Sequence, residues 1–189
     1  MDEDQIVEVA LTAIKAVIKP PLSVERGASL LYQMTVDNRL TVRVDPRNPK
    51  RGQSAFQTDL CIFDEVEKGV LLPRVVLEFK AGMSTHDVLT YSAKARKHKQ
   101  IYPYLRYGII VGSEAKVAAK FFIHNESLDF CCAARAYIME STLGAMLSDL
   151  ILAEIQSSRL LEAAAFEKSQ WRLFRTDVVV DPPPVRMDF

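Results

Sequence analysis

Two short apolar segments that carry charged side chains constrain the fold of this chain more than any other feature. Residues 58–63 and 72–79 have the apolar, β-branched character of strands, and the charged turn at 64–69 between them predicts a β-hairpin. Asp59 lies in the first segment and Glu78 near the end of the second. Pairing of the segments would bring the two carboxylates together, where burial is costly unless they are paired or bind a cation.

Alternation along the second segment adds a third charge to this pair. Successive side chains of a strand point to opposite faces, so Glu78 and Lys80 share one face and Phe79 points to the other. Two carboxylates with neighbouring oxygens suit a hard cation such as Mg²⁺. The hairpin therefore predicts two carboxylates and one ammonium group in a common place, with a divalent cation between them.

The order and spacing of these residues resemble the signature of a nuclease superfamily. Asp59 is followed nineteen positions later by residues 78–80, which are Glu-Phe-Lys. With a strand under each part and a helix to follow, this resembles the D…ExK pattern of the PD-(D/E)XK nuclease superfamily, which has the restriction-endonuclease-like fold. The resemblance extends over residues 24–112, and Thr58 stands where the superfamily name has a proline.

The resemblance implies both a fold and an activity. The implied fold is α/β, with a restriction-endonuclease-like core of helix, three strands, helix and strand, in which helices flank a mixed sheet. The implied activity is that of a metal-dependent nuclease that hydrolyses phosphodiester bonds, with DNA as the expected substrate and Mg²⁺ or Mn²⁺ as cofactor. Asp59, Glu78 and the main-chain carbonyl of Phe79 would hold the metal ion. Lys80 would orient or help to deprotonate the attacking water and stabilise charge on the phosphate.

Two further groups of residues are assigned through the same resemblance. A helix before the first core strand often lends a carboxylate in this superfamily, and Glu25 is preferred to Glu8 because it directly precedes that strand; an exposed or helix-terminal acid is the alternative for both. Phosphate contact is assigned to two clusters that flank the acidic residues, with solvated surface as the alternative for each. The proposed nucleic-acid-binding residues are Arg43, Arg47, Lys50 and Arg51 in a loop, and His86, Tyr91, Lys94 and Lys97 on the following helix. For His86 the alternative is a histidine at the start of the helix that is hydrogen-bonded to the backbone.

Charge and hydropathy limit the classes of protein to which the chain can belong. The 189 residues have a formal net charge of zero, which argues against non-specific coating of nucleic acid but allows a local basic face. No apolar run reaches the roughly 18 residues of a membrane span, and the acidic start MDEDQ is unlike a signal peptide. We therefore expect a cytoplasmic protein without membrane contact, in which Cys61, Cys131 and Cys132 are reduced core residues.

Periodicity divides the chain into four segments of one predicted domain. They are an N-terminal helix (1–22), the nuclease-like core (23–112), an extension of helix and strand (113–170), and a C-terminal strand with a proline-rich tail (171–189). Helices are predicted at 4–18, 23–34, 85–101, 114–119 and, as one long helix or a helix pair, 135–166. Besides the hairpin, strands are predicted at 40–44, 107–111, 128–133 and 171–180.

Two of these assignments have open alternatives. The long C-terminal helix favours a homodimer, which would suit a cutter of two strands, but such a helix would equally cap the sheet. The nuclease has a rival from another class, a non-catalytic module that binds protein or nucleic acid and in which Glu78 and Lys80 form a partly exposed salt bridge. The third interpretation is an unrelated α/β domain with a chance D…ExK pattern. Binding of a divalent cation separates the first function from both others.

Overall fold

A mixed five-stranded sheet forms the centre of the structure. The computed structural model describes residues 3–52, 54–167 and 171–181. The helices are α1 (Glu3–Val17), α2 (Thr85–Ile101), α3 (Ala119–His124), α4 (Ala134–Met139) and α5 (Leu143–Phe166). The strands are β1 (Leu22–Arg26), β2 (Ser29–Leu31), β3 (Ala55–Gln57), β4 (Leu60–Glu67), β5 (Val70–Lys80), β6 (Arg106–Val111) and β7 (Phe130–Ala133).

The strands of the central sheet follow the order β1-β4-β5-β6-β7, and β2 pairs with β3 in a separate two-stranded sheet. β1 and β5 both run antiparallel to β4. β6 is parallel to β5, and β7 is parallel to β6. The predicted β4–β5 hairpin is therefore confirmed, as are the predicted strands that became β6 and β7.

Helices cover both faces of the central sheet. On one face, α1 and α5 pack onto alternate residues of β4 and β5, including Ile62 and Phe79. On the other face, α2 and α3 pack onto the intervening residues, including Cys61 and Val76. This division follows from the alternation of side chains along each strand. The predicted α/β class, with a mixed sheet flanked by helices, is confirmed.

The helix after β5 begins where its sequence signals predicted. The Ser84 hydroxyl accepts a hydrogen bond from the Asp87 N–H, and the Asp87 carboxylate accepts one from the Ser84 N–H. This reciprocal capping box satisfies two backbone donors that have no partner inside the helix. The observed bounds of α2 equal the predicted ones.

The apolar stretch at 135–166 forms the helix pair α4 and α5, which was one of its two predicted forms. Ser141 lies between the two helices with a φ of 58°, in the left-handed region, so the first helix ends there. Leu147, Ile151 and Ile155 of α5 are buried in the core. α5 thus caps the sheet, and the homodimer stays a prediction.

The helix predicted at 23–34 is wrong, because this segment contains β1 and β2. Short apolar runs fit both the helical and the strand period, and here the pairing of β1 with β4 makes the segment a strand. Gly27 follows β1 with a φ of 71°, a conformation that a helix excludes and that glycine adopts freely.

The strand predicted at 40–44 is also wrong, since these residues, all of them described, form no strand and Val42 makes an isolated bridge. The Asp37 carboxylate instead accepts hydrogen bonds from the Thr41 N–H and the Arg43 guanidinium. Such local bonds compete with strand pairing. The order of helix, three strands, helix and strand is met instead by α1, β1, β4, β5, α2 and β6.

Two predictions in the C-terminal half are wrong as well. Residues 114–119 are not helical until Ala119, where α3 begins. The Glu114 carboxylate accepts a hydrogen bond from the Met83 N–H at 3.1 Å within this irregular connection. Residues 171–180 run without strand pairing. Most of the predicted proline-rich tail, residues 182–189, lies outside the described residues.

The remaining expectations concern cysteines and membranes. All three cysteines are free, and Cys61 and Cys132 are buried, as a core role requires. Burial raises the pKa of Cys132 to about 12, so its thiol stays protonated at neutral pH. Within the described ranges, no helix has the length and apolar character needed to cross a membrane.

A buried charge network ties α5 to the hairpin. Arg74 of β5 is 2% exposed, and its Nε lies 3.2 Å from Oδ2 of Asp64 in β4. Arg74 Nη1 lies 2.6 Å from Glu162 Oε2 as an ion contact rather than an aligned hydrogen bond. Arg159 Nε of α5 donates to the same Asp64 oxygen at 2.9 Å. Asp64 is therefore shared by two guanidinium groups from different elements.

Removal of Asp64 should destabilise the fold strongly. Asp64→Ala leaves Arg74 buried with only part of its counter-charge, so we expect the free energy of unfolding to fall by about 3–5 kcal/mol. Glu67→Ala removes an exposed acid of the same strand and should change it by less than about 0.5 kcal/mol. Urea unfolding measures both values, and equal stabilities of the two variants would contradict the role given to the network.

Candidate active site

The hairpin brings Asp59 and Glu78 to the same end of the sheet. Asp59 directly precedes β4, and its Oδ2 accepts a hydrogen bond from the backbone N–H of Phe79 at 2.8 Å. Leu60 pairs with Leu77, so the antiparallel register sets Asp59 beside Glu78. This end of β5 is also the carboxyl end of the parallel pair β5–β6, the edge at which α/β sheets commonly bind ligands.

Glu78 is a buried carboxyl group with an altered affinity for protons. Its Oε1 accepts a hydrogen bond from the Tyr107 hydroxyl and lies 3.6 Å from Nζ of Lys94. Burial raises the pKa of Glu78 to about 7; Lys94 and Tyr107 oppose the rise, and the nearby Asp59 adds to it. Glu78 therefore exists in both protonation states near neutral pH.

Lys80 extends from the end of β5 to the first turn of α1. Its Nζ lies 3.1 and 3.3 Å from the two carboxylate oxygens of Glu3 and 5.7 Å from the centre of the Tyr91 ring. Burial lowers the pKa of Lys80, but its contacts with Glu3 and Tyr91 outweigh burial and hold the pKa above its ordinary value. Lys80 is thus an ammonium ion at neutral pH, which suits charge stabilisation better than proton abstraction.

The acid that α1 brings to this place is one that sequence reasoning missed. Glu8 pairs with Arg26 at 2.5 Å, and Glu25 is exposed on β1 in register with Cys61. In the described part of the chain, neither forms an ion pair with Lys80, whereas Glu3 does. The acidic first turn of α1 is visible in the sequence, but spacing along the chain does not relate Glu3 to Lys80, which lies 77 positions away.

A cleft of about 480 Å³ opens beside Asp59. Its lining includes Glu3, Arg26, Arg51, Gln57, Thr58 and Asp59. Arg51 belongs to the predicted basic loop, and its Nη1 donates to Gln57 Oε1 at 2.7 Å. The cleft thus combines carboxylates with guanidinium groups, a lining that suits a charged ligand.

The other basic residues of the predicted loop cluster lie elsewhere. Arg43 and Lys50 line a separate cavity of about 180 Å³. The Arg43 guanidinium lies beside Asp37 and lowers the pKa of that carboxyl group. The charge of Arg43 is therefore already paired within the protein. Arg47 is exposed. Of the four predicted loop residues, Arg51 is the one that lines the cleft at Asp59.

The four residues predicted on α2 divide in the same way. Tyr91 and Lys94, which are three positions apart and so share one side of α2, lie close to Glu78. Lys97 lies farther along, with its Nζ 5.2 Å from the centre of the Tyr32 ring. His86 is exposed on the first turn and makes a side-chain contact with Thr90 at 3.4 Å.

The chemistry of the donor set fits a divalent cation held by few protein ligands. Asp59 and Glu78 offer two carboxylates, and the Phe79 carbonyl belongs to the same strand end. The described residues contain no group of three or more histidine, cysteine or acidic side chains that could hold a metal ion. Mg²⁺ is commonly bound through one or two carboxylates, with water and substrate phosphate completing its shell. A cation would also offset the repulsion between Asp59 and ionised Glu78.

Comparison with known proteins adds no assignment to this geometry. No protein-family model matches the sequence, and no curated protein matches it at a significant level. The PD-(D/E)XK resemblance therefore stays a prediction from the residues, and a function has to be argued from the site itself.

The raised pKa of Glu78 predicts how stability depends on pH. Between the ordinary pKa of 4.5 and the folded pKa of about 7, the folded protein holds a proton that the unfolded chain has released. The stability contributed by protonated Glu78 is therefore complete below the lower value and is lost as the pH rises through the higher one. Without divalent cations, we expect the free energy of unfolding to fall by on the order of 2 kcal/mol between about pH 5 and pH 7.5.

Urea unfolding at the two pH values tests this expectation. Glu78→Gln cannot ionise, so its stability should lack this fall. Glu67→Gln, at an exposed acid of β4, should retain the wild-type dependence. If wild type and Glu78→Gln lose the same stability over this range, another group carries the titration.

Proposed function

We propose that the protein is a metal-dependent nuclease that hydrolyses phosphodiester bonds, with DNA as its substrate. The proposal rests on the approach of Asp59 and Glu78 at the end of the β4–β5 hairpin, with Lys80 on the same strand end. A buried carboxyl group beside a second carboxylate is costly in a purely structural role. A bound Mg²⁺ or Mn²⁺ ion would offset that cost, and the same ion would serve phosphodiester hydrolysis.

The residues of the chain would divide the work of this reaction. When bound, the cation would lower the pKa of a coordinated water and neutralise charge on the phosphate. Asp59 and Glu78 would hold the cation through their carboxylates, and the Tyr107 hydroxyl orients Glu78. Lys80 stabilises the negative charge that develops on the phosphate, because its raised pKa keeps it protonated. Glu3 positions the Lys80 ammonium group.

One set of contacts favours a second candidate, a non-catalytic module that binds protein or nucleic acid. Lys80 pairs with Glu3 at 3.1 Å, and Glu78 has Tyr107 and Lys94 as partners. Each of these charged groups is therefore satisfied by the protein itself. The pairing differs from the Glu78–Lys80 salt bridge expected from the sequence, and it would serve to hold α1 and α2 against the sheet.

Calorimetric titration with Mg²⁺ and Mn²⁺ separates the two candidates. We expect the wild type to bind the cation and Asp59→Ala to lose binding, because the variant lacks one of the two carboxylates. Asp149→Ala, at an exposed acid of α5, is the control and should bind as the wild type does. An absence of binding by the wild type, even with a phosphorothioate oligonucleotide present to complete the metal shell, would favour the non-catalytic module.

Cleavage of labelled DNA in the presence of Mg²⁺ tests the chemistry. Asp59→Asn and Lys80→Ala should each lower the rate by at least about 100-fold, since Asp59 would hold the metal ion and Lys80 would stabilise charge on the phosphate. Asp149→Ala should cut at the wild-type rate, and circular dichroism should show the same fold for all variants. Wild-type cleavage by Asp59→Asn or Lys80→Ala would mean that the site is assigned to the wrong residues.

A further inference from the structure

A row of lysine side chains and aromatic rings leads away from Glu78. The residues come from three places in the chain: the end of β5, one side of α2, and the small β2–β3 sheet with the residue that follows β2. We call this row the lysine–aromatic ladder. In spatial order its members are Lys80, Tyr91, Lys94, Phe56, Tyr32 and Lys97.

The inner end of the ladder is part of the candidate active site. Nζ of Lys94 lies 3.6 Å from Oε1 of Glu78 and 4.7 Å from the centre of the Tyr91 ring. The same Nζ lies 6.0 Å from the centre of the Phe56 ring, within the usual range of a cation–π contact. Lys94 therefore connects the carboxylates to the aromatic part of the ladder.

The outer end of the ladder is an aromatic stack with a cation above it. The rings of Tyr32 and Phe56 have centres 3.9 Å apart and planes inclined by 14°. Nζ of Lys97 lies 5.2 Å from the centre of the Tyr32 ring. Both rings are half-buried and Lys97 is exposed, so this end of the ladder is open to solvent.

The β2–β3 sheet is fixed to α2 by a buried histidine. His98 is fully buried, and burial lowers its pKa to about 4, so the ring is neutral at physiological pH. Because a carbonyl oxygen can only accept a hydrogen bond, Nδ1 of His98 must carry the ring proton. It donates this proton to the Leu31 carbonyl at 2.8 Å. The Tyr32 N–H in turn donates to the Ser54 carbonyl at 2.9 Å. The ring stack is therefore held in place before any ligand binds.

Packing in the core of the central sheet does not account for this arrangement. The two large hydrophobic clusters that cover the faces of the sheet do not include Tyr32 or Phe56. Within the described residues, no carboxylate lies within ion-pair distance of Lys97. Lys94 is paired with Glu78, so Lys97 is the ladder lysine whose charge is free for a ligand. Solvent-accessible rings beside such a lysine are typical of surfaces that bind single-stranded nucleic acid.

We propose that the ladder binds unpaired nucleotides, so that the substrate class of the site is single-stranded DNA or a frayed strand end. This inference rests on the proposed nuclease function. Bases would stack at Tyr32 and Phe56, and phosphates would contact Lys97 and Lys94. A phosphate beyond Lys94 would then reach Glu78 and Asp59.

The geometry favours unpaired nucleotides over a duplex for a simple reason. Aromatic side chains bind the flat face of a base, and those faces are hidden by stacking within a double helix. A base that stacks on Tyr32 would displace the Lys97 ammonium, which would move to a neighbouring phosphate. Every base has such a face, so binding should tolerate changes in sequence.

Fluorescence anisotropy with metal-free protein tests the ladder. The two probes are a labelled oligothymidylate of about 12 nucleotides and a duplex of the same length that is closed at both ends by non-nucleotide linkers and so contains no unpaired base. We expect the wild type to bind the single strand at least about ten-fold more tightly than the closed duplex. Tyr32→Leu should weaken single-strand binding by about 5- to 100-fold and leave duplex binding unchanged.

Two conservative comparisons separate stacking from a change in fold. Tyr32→Trp keeps a stacking face and should bind the single strand as the wild type does. Lys97→Gln changes an exposed side chain and should weaken single-strand binding, whereas Lys116→Gln, at an exposed lysine outside the ladder, should not. Equal affinity of the wild type for the two probes, or wild-type binding by both Tyr32→Leu and Lys97→Gln, would overturn the inference.

The binding assay is independent of catalysis, so the two proposals can fail separately. Single-strand preference that depends on Tyr32, in a protein that binds no divalent cation, would support the ladder and overturn the nuclease. Metal-dependent cleavage that shows no preference for single strands over the closed duplex would support the nuclease and overturn the ladder.

Discussion

The hydrogen bond from the Phe79 N–H to the Asp59 carboxylate couples the register of the central hairpin to the chemistry of its open end. A shift of one residue in this pairing would turn every side chain of β5 to the opposite face. Phe79 would then leave the core beneath α1 and α5, and the charges of Glu78 and Lys80 would enter it. The apolar contacts of Phe79 on one face, and the polar partners of Glu78 and Lys80 on the other, fix the register, and the register fixes the site.

Local signals explain which elements could be predicted from the sequence. Two features depend only on neighbours along the chain and could therefore be predicted from the sequence. They are the alternation of side chains in β4 and β5 and the capping box of Ser84 and Asp87. The helix prediction for residues 23–34 was wrong for two reasons. The strand that pairs with β1, β4, is distant in sequence, and Gly27 adopts a conformation that periodicity does not reveal. Residues 171–180 have a strand-like sequence pattern, but they pair with no strand in the described part of the chain.

The candidate site shows the same limit at the level of single residues. The approach of Asp59, Glu78 and Lys80 follows from strand geometry and could be derived without a structure. The partner of Lys80, Glu3, lies 77 positions away along the chain, and the stack of Tyr32 on Phe56 depends on where a buried histidine anchors a small sheet. Long-range contacts of this kind depend on tertiary packing, to which periodicity and spacing give no access.

The pairing of β2 with β3 has a consequence for how this protein could change during evolution. The two ends of the long segment between these strands are held together, because Leu31 pairs with Ala55 across the small sheet. Lengthening a loop whose ends are held costs only about 0.6 kcal/mol for each doubling of its length. Insertions between β2 and β3 could therefore alter what the protein contacts around the cleft, while the carboxylates, Lys80 and the ring stack keep their positions.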